Sequence, residues 1–378
     1  MSEVVGAGAA DPMTAASLRS LGWDGRLEAL FATEASGLEP ARILVEERGR
    51  YLVATAAGEA PASPSGRLRH EADLDPTAAW PAVGDWVAVE GSAPGAGPGE
   101  HRLIQQVLPR RTAVVRRAPS DRRLPAQVLA ANVDTVFVVT SMNADFNVRR
   151  LERYLSVAWE SGAWPVVLLS KADLAGDPGP YVAAAAAVAA GVDVVPVSIV
   201  TGEGLDTVRA LLGEGRTVVF TGSSGVGKSS IVNAIAGETV VATAAIREDD
   251  ARGRHTTTRR QLLRIGNAVL IDTPGLRELG VLDAEGVSTA FDDVEQAASR
   301  CRFNDCAHRS EPGCAVRAAI ADGSLDGGRF DAWKKLEREA AHAALATDAI
   351  ARRAERKRWS AISRSVDAHV RIKYGADR

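Results

Sequence analysis

The sequence predicts a multidomain α/β protein with a small β-barrel near its N-terminus, a central domain built on a mainly parallel sheet, and a helical C-terminal region. Short alternating apolar segments separated by turn residues, from about Arg42 to Val115, favour the barrel. Between Asp134 and Ile271, apolar strand-like runs alternate with helical stretches, which is typical of a parallel sheet. Helical composition dominates after Ala290.

The bulk composition limits the class of protein. A chain of 378 residues suits two or three domains, and with 46% hydrophobic residues it can form cores without disulfides. The three cysteines all lie between Cys301 and Cys314, which argues against a secreted disulfide framework. The N-terminus does not have the pattern of a signal peptide, and no run spans a bilayer convincingly. We therefore expect a cytoplasmic protein without a membrane partner.

A glycine-rich motif, TGSSGVGKSS at residues 221–230, follows a predicted strand and precedes a helical run. Its glycines let the backbone turn sharply, so that N–H groups and the helix N-terminus surround phosphate oxygens. Lys228 is predicted to reach the outer phosphates, and Ser229 to coordinate Mg²⁺. The alternative, an ordinary glycine-rich turn, is disfavoured by the complete spacing. The predicted phosphate-binding residues are Gly222, Ser223, Ser224, Gly225, Val226, Gly227, Lys228, Ser229 and Ser230.

A second motif, Asp-Thr-Pro-Gly, follows the predicted strand at residues 268–271. Asp272 is predicted to hold Mg²⁺ through water, and the Gly275 N–H to contact the terminal phosphate. Alone, this pattern is usually a turn. Its place after a strand, about forty residues beyond the phosphate loop, makes it informative.

A third motif, Ser170-Lys171-Ala172-Asp173, resembles the Asn-Lys-x-Asp guanine motif with serine in the asparagine position. The Asp173 carboxylate can accept from guanine N1–H and N2–H₂, a donor pair that adenine lacks. Ser170 removes an amide contact, which weakens the expected base discrimination, and a plain helix-start turn is the alternative. A fourth strand-like run ends at Ser198, before Thr-Gly-Glu-Gly, a pattern similar to the base-contacting loop of GTPases.

Four strand-like runs thus end in four candidate nucleotide loops, as in an open α/β sheet that binds ligand beyond its strand carboxyl ends. Ordinary small GTPases place the guanine motif last, whereas here it precedes the phosphate loop, so the order is circularly permuted. The chain resembles the ribosome small-subunit-dependent GTPase A family over roughly residues 35–330, with departures at Ser170 and Ile199. The matching segments include TGSSGVGKSSIVNAI, GRHTTTRR and IDTPGLREL.

This resemblance implies an N-terminal OB-fold barrel, a central circularly permuted GTPase domain and a C-terminal helical zinc-binding domain. The expected divisions are a flexible tail at 1–35, an RNA-binding barrel at 36–120, the GTPase domain at 121–285, and the zinc-binding domain with a basic C-terminal helix at 286–378. The implied substrate is GTP with Mg²⁺. The implied partner is the small ribosomal subunit with its rRNA, whose late maturation the family assists. We expect a monomer.

The segment GRHTTTRR at residues 253–260 is predicted to be the switch loop. Thr258 or Thr257 is expected to complete the Mg²⁺ shell, and His255 is the candidate that orients the attacking water. Leu276 stands where many GTPases carry glutamine, so we expect slow intrinsic hydrolysis that a partner accelerates. The predicted catalytic residues are thus His255, Lys228 and Thr258. The alternative is simply a basic, mobile loop.

Three cysteines and one histidine form the pattern C-x₄-C-x-H-x₅-C: Cys301, Cys306, His308 and Cys314. Such a set suits tetrahedral Zn²⁺ and leaves no open position, which favours one structural zinc ion over a catalytic one. The alternative is reduced thiols beside a surface histidine.

Two basic segments are candidate RNA surfaces. Residues 109–123 carry six arginines against one aspartate, and residues 332–378 carry 12 Lys/Arg against six Asp/Glu. Basic side chains replace counterions along phosphates, although charged helices are often only solvated faces. The leading hypothesis is therefore an RNA-stimulated GTPase. The alternatives are an RNA-binding module gated by nucleotide, in which hydrolysis only resets binding, and an unrelated phosphate-loop ATPase or kinase.

Overall fold

The computed structural model describes residues 18–47, 49–74, 80–91, 99–116, 127–241, 260–273 and 284–341. Thirteen strands lie in these ranges. They are β1 (Glu39–Glu47), β2 (Arg50–Thr55), β3 (Gly58–Pro64), β4 (Trp86–Val89), β5 (Arg102–Val107), β6 (Ala113–Arg116), β7 (Gln127–Ala131), β8 (Thr135–Ser141), β9 (Trp164–Ser170), β10 (Val194–Val197), β11 (Thr217–Thr221), β12 (Arg260–Ile265) and β13 (Ala268–Asp272).

The helices of the described ranges flank these strands. They are α1 (Gly25–Glu34), α2 (Gly66–Leu74), α3 (Val148–Glu160), α4 (Gly179–Ala186), α5 (Leu205–Leu211), α6 (Lys228–Ala236), α7 (Ala284–Ala290), α8 (Asp292–Ser299), α9 (Ala315–Ala321) and α10 (327–341), with short 3-10 helices at Leu18–Leu21 and Ala172–Leu174. None of them combines the length and hydrophobicity needed to cross a lipid bilayer.

The N-terminal strands close into a five-stranded barrel. β1 pairs with β2, β2 with β3, β3 with β5, β5 with β4, and β4 with β1 again. The β3–β5 pair is parallel and the others are antiparallel. Closure removes free sheet edges among these strands, and five strands in this order are an OB-fold barrel.

The central sheet runs in the order β10-β9-β8-β11-β13-β12. Its first five strands are parallel, and β12 is antiparallel to β13. All seven residues of β8 are buried because helices cover both faces of the sheet. One face packs on α5 and α6, where Phe137 of β8 stacks on Phe220 of β11 at 4.8 Å.

Helix α3 covers the other face of the sheet and carries the C-terminal helices. It begins where the Asn147 side chain accepts a hydrogen bond from the Arg150 N–H at 2.9 Å, an N-cap that satisfies one free backbone donor. Leu151 and Leu155 are buried, one turn apart. The predicted fold class is confirmed: a barrel, a permuted α/β domain and a helical C-terminal region with the Cys/His cluster.

The flexible tail predicted at 1–35 needs a correction over residues 18–35, whereas residues 1–17 lie outside the described ranges. Residues from Leu18 onward form a 3-10 helix and then α1, and these pack on the barrel. Trp23 meets Trp86 of β4 edge to face at 4.9 Å, and a Cβ at Gly22 would lie 2.7 Å from the Gly215 carbonyl oxygen. Composition alone did not separate this short apolar helix from the weakly patterned residues before it. The described N-terminal segment therefore belongs to the folded body.

Candidate nucleotide-binding site

Four loops leave the carboxyl ends of parallel strands at one edge of the central sheet. They follow β9, β10, β11 and β13, and they contain the four predicted nucleotide motifs. Because parallel strands end at the same edge, motifs that are far apart in sequence become neighbours. The permuted order in the chain thus yields a single site.

The phosphate loop connects β11 to α6. At Gly222, φ is 135°, and a Cβ would lie 2.1 Å from the Val139 carbonyl oxygen, so only glycine fits there. Lys228 Nζ donates to the carbonyl oxygens of Gly222 and Ser223 at 2.7 and 2.6 Å. The loop therefore surrounds the ammonium group, and Ser229 stands in the first turn of α6.

The guanine loop and the Ser198 loop touch each other. Ser198 Oγ donates to Asp173 Oδ1 at 2.6 Å, and it accepts from the N–H groups of Val200 and Thr201, both at 3.2 Å. The hydroxyl thereby fixes the orientation of the carboxylate that is predicted to bind guanine. Asp173 lies two residues after Lys171, whose backbone is in the left-handed region with a φ of 60°.

Ser170 connects the guanine loop to the phosphate loop. Its hydroxyl is buried and donates to the Val226 carbonyl oxygen at 2.6 Å, with the Thr140 carbonyl oxygen at 3.3 Å. The hydroxyl is therefore hydrogen-bonded to the backbone of the phosphate loop, and the predicted role of Ser170 in nucleotide binding stays a prediction. The motif pattern did not reveal this connection, because Val226 lies 56 residues away in sequence.

Asp272 is the last residue of β13, and it pairs with Gln261 of β12. The side chain is half-buried at the edge of the sheet that carries the phosphate loop. Gly275, Leu276, His255, Thr257 and Thr258 lie outside the described residues, so their predicted roles stay predictions.

A second cluster lies among the C-terminal helices. Cys301, Cys306, His308 and Cys314 each offer one ligand atom, all within 4.8 Å of one another, and so they are placed to hold a metal ion. His308 Nδ1 lies 3.6 Å from Cys301 Sγ and 3.5 Å from Cys314 Sγ, and the two sulfurs are 3.9 Å apart. The His308 ring packs edge to face on Phe330 and Trp333 of α10.

Two arginines of the basic segment at residues 109–123 form ion pairs within the protein. Arg110 donates to both carboxylate oxygens of Asp85, at 2.8 and 2.7 Å, and its side chain is mostly buried. Burial raises the pKa of Asp85, although the hydrogen bonds from Arg110 oppose that shift. Arg111 pairs with Asp134 at the start of β8. These two arginines are therefore engaged in ion pairs. Residues 117–126 and 342–378 lie outside the described ranges.

The fold and the site together define a circularly permuted GTPase. A family model described as RsgA GTPase matches residues 107–282. The chain belongs to this family of GTP hydrolases, because full-length relatives match it at well above 30% identity.

Three of these relatives are named small ribosomal subunit biogenesis GTPases. RsgA of Opitutus terrae is 46% identical over 364 residues, which cover 94% of this chain and 98% of the relative. RsgA of Streptomyces coelicolor is 46% identical over 358 residues, covering 92% and 94%. RsgA 2 of Lactiplantibacillus plantarum is 45% identical over 314 residues, covering 83% and 86%.

Two solved structures share the fold. YjeQ from Thermotoga maritima has a TM-score of 0.59 at 24% identity and covers 80% of this chain and 98% of its own. YloQ, a circularly permuted GTPase, has a TM-score of 0.56 at 22% identity and covers 82% and 97%. Both likenesses support the fold described above.

Proposed function

We propose that this protein hydrolyses GTP to GDP and phosphate with Mg²⁺, and that it assists late maturation of the small ribosomal subunit. The observation that carries the proposal is that the Asp173–Ser198 pair and the Lys228 loop lie at the same edge of the sheet. A carboxylate selective for guanine after β9 and a phosphate loop after β11, with only β8 between the two strands, suit one GTP molecule. The names of the relatives supply the ribosomal role.

The roles of individual residues follow from general phosphoryl-transfer chemistry. Lys228 and the loop N–H groups would stabilise charge on the phosphates, and Ser229, Asp272 and Thr258 would hold a Mg²⁺ ion that neutralises charge on them. His255 orients the attacking water. Because Leu276 cannot bond to water, intrinsic turnover is slow and the bound subunit accelerates it.

A structural zinc ion suits the Cys/His cluster. A tetrahedral ion with Zn–S bonds of about 2.3 Å and a Zn–N bond of about 2.0 Å separates two sulfurs by about 3.8 Å, and sulfur from nitrogen by about 3.5 Å. The distances among Cys301, His308 and Cys314 are 3.9, 3.6 and 3.5 Å. When bound, the ion joins the 301–308 segment to the start of α9. Four protein ligands leave no position for substrate.

The remaining proposals concern partners and organisation. The barrel is an RNA-binding unit at 36–120, followed by the GTPase domain at 121–285 and the zinc-binding domain at 286–378, and the basic composition beyond residue 341 suits rRNA binding. We place the protein in the cytoplasm as a monomer.

The decisive measurement is steady-state GTP hydrolysis with and without purified small ribosomal subunits. We expect subunits to raise the turnover rate on the order of tenfold or more, because the partner completes a site that lacks its own water-orienting glutamine. An RNA-binding module in which hydrolysis only resets binding predicts nucleotide-dependent affinity for subunits with little stimulation. Unstimulated hydrolysis therefore favours that alternative.

The base specificity is tested with Asp173→Asn. Losing two charge-assisted hydrogen bonds weakens GTP binding by roughly 100-fold or more. Xanthosine triphosphate, whose C2 carbonyl accepts from the new amide, should bind the variant better than GTP does. Asp206→Asn on the exposed face of α5 is the matched control and should leave both affinities unchanged. A variant that keeps its preference for guanine would contradict the assignment of Asp173.

A further inference from the structure

Strand β1 belongs to both the barrel and the central sheet. On the barrel side it pairs with β2 and β4, and near its end it also pairs with β12. The register places Val45 opposite Gln261 and Glu46 opposite Arg260. The two sheets are therefore joined by a backbone ladder, which fixes their relative register.

Strand β12 continues this ladder toward the nucleotide site. On its other side, Gln261 pairs with Asp272, the predicted Mg²⁺ residue at the end of β13. One residue of β12 thus lies between Val45 of the barrel and Asp272 of the site. At the usual strand spacing, two steps across the sheet cover only about 10 Å.

An ion pair closes this ladder at its end. Arg260 Nη1 donates to Glu46 Oε2 at 2.8 Å, and the two side chains are only 16% and 22% exposed. Arg260 is the first residue of β12, where a strand is most prone to fray. Arg260 is also the last residue of the predicted switch segment 253–260, so the pair holds the point at which that segment enters the sheet.

Resting on the proposed function, we propose that Glu46 and Arg260 are positioning residues for subunit-stimulated GTP hydrolysis. The ion pair keeps the start of β12 in register between the barrel and Asp272. A barrel engaged by the ribosomal subunit thereby sets the geometry of the Mg²⁺ end of the site. The two side chains pair with each other, and both act through the ladder.

The test measures the maximal turnover rate at saturating small ribosomal subunits and the subunit concentration that gives half-maximal stimulation. Glu46→Gln and Arg260→Gln remove one charge each, and a charge-swapped double variant carries Glu46→Arg with Arg260→Glu. Each single variant should lower maximal stimulated turnover about fivefold, the size of a partly buried ion-pair contribution. The half-maximal concentration should stay within about twofold, because the subunit-binding surface is intact.

Two neighbouring residues supply matched controls. Glu47 follows Glu46 in β1 and is exposed, and Arg264 lies on β12 opposite Val269 of β13. Glu47→Gln and Arg264→Gln should keep wild-type stimulation. The charge-swapped double variant should recover at least half of the lost turnover, which a general loss of stability would not produce. If one single variant fails to fold, the other and the double variant carry the same test.

Three outcomes overturn the inference: single variants as active as the controls, a double variant no better than the singles, or an effect confined to the half-maximal subunit concentration. The last result would make the pair a docking element. A wild-type protein that subunits do not stimulate removes the proposed function itself. A stimulated wild type with unimpaired single variants removes only the positioning role.

Discussion

The central sheet meets its two neighbouring regions in different ways. The barrel joins it through backbone hydrogen bonds, because β1 and β12 form one ladder. The C-terminal helices dock on α3 through side chains: Arg329 of α10 donates to Glu152 at 2.8 Å, and Arg153 donates to Glu339 at 2.7 Å. The backbone hydrogen bonds of a ladder remain when one side chain changes, although the Arg260–Glu46 pair adds to this one, whereas a docking surface made of charges depends on each partner.

Close packing also holds the junction between α3 and the C-terminal helices. Gly286 of α7 lies against α3, and a Cβ there would be 2.4 Å from the Ser156 carbonyl oxygen. Arg329 also donates to both carboxylate oxygens of Asp293 at 2.7 Å and lies over the Phe291 ring at 4.6 Å. The C-terminal helices are thus held by close contact and a buried charge network. We expect this junction to be separable from the barrel junction.

Metal removal is expected to give the largest difference between the two junctions. Structural zinc sites contribute on the order of 10 kcal/mol of binding free energy, which couples to local folding. Stripping the proposed zinc ion with 1,10-phenanthroline should make residues 301–314 sensitive to protease, while the barrel and the nucleotide affinity stay intact. The non-chelating 1,7-isomer is the control. A collapse of nucleotide binding together with the cluster would mean that the two regions do not unfold independently.

Arg329→Met should weaken the C-terminal junction by about 3 kcal/mol, because it leaves Glu152 buried with only Arg149 beside it. Arg153→Met removes an ion pair whose partners are 29% and 36% exposed, so it should cost less than about 1 kcal/mol. Urea unfolding followed by limited proteolysis of the C-terminal helices measures both. Equal effects of the two variants would show that burial is not what distinguishes these pairs.

The free energy of unfolding that is lost in Arg329→Met should depend on pH. Burial already raises the pKa of Glu152, although Arg329 and Arg149 oppose the shift, and its Oε2 has no hydrogen-bond partner among the described residues. A carboxyl whose pKa is raised in the folded state stabilises that state below its unfolded pKa and loses this contribution as pH rises through the folded pKa. The cost of Arg329→Met should therefore be smaller at pH 5 than at pH 8. A cost that is equal at both values would argue against a buried, unpaired charge.

The motifs could be found in the sequence because their chemistry requires certain residues at fixed spacing. Lys228 in its glycine loop, Asp173 two residues after Lys171, and the Cys/His cluster all belong to this class. The structure brings the partners of each motif together. The alternation of short apolar segments similarly predicted the barrel.

The junctions could not be found in the same way. Arg42 is a lone basic residue in a short strand, and Glu152 lies among the charges of an amphipathic helix, so both look like solvent-facing residues. Both are fully buried because distant segments cover them. Local periodicity carries no information about which segment packs over a face. Ser170 is similar, since its partner Val226 lies in another loop.

Substituting Arg42 tests a buried side-chain contact at the barrel junction. Its guanidinium is buried over the Trp86 ring and donates to Thr217 Oγ1 at 2.6 Å, at the start of the strand that leads to the phosphate loop, and to the Leu21 carbonyl oxygen. Arg42→Met should cost about 2 kcal/mol, because these acceptors lose a buried donor while the β1–β12 ladder remains.

The pH dependence of the stability lost in Arg42→Met can be compared with that of Arg329→Met. Burial lowers the pKa of Arg42 to about 10, so the group is protonated in the folded and unfolded states throughout pH 5 to 8. Its contribution should therefore be constant over that range, unlike that of Arg329, as measured by urea unfolding of both variants at the two pH values. Constancy arises because the acceptors of Arg42 are neutral and do not titrate. A cost that falls at pH 5 as steeply as for Arg329→Met would mean that Asp85, a carboxylate near Arg42 whose pKa is raised by burial, governs this junction too.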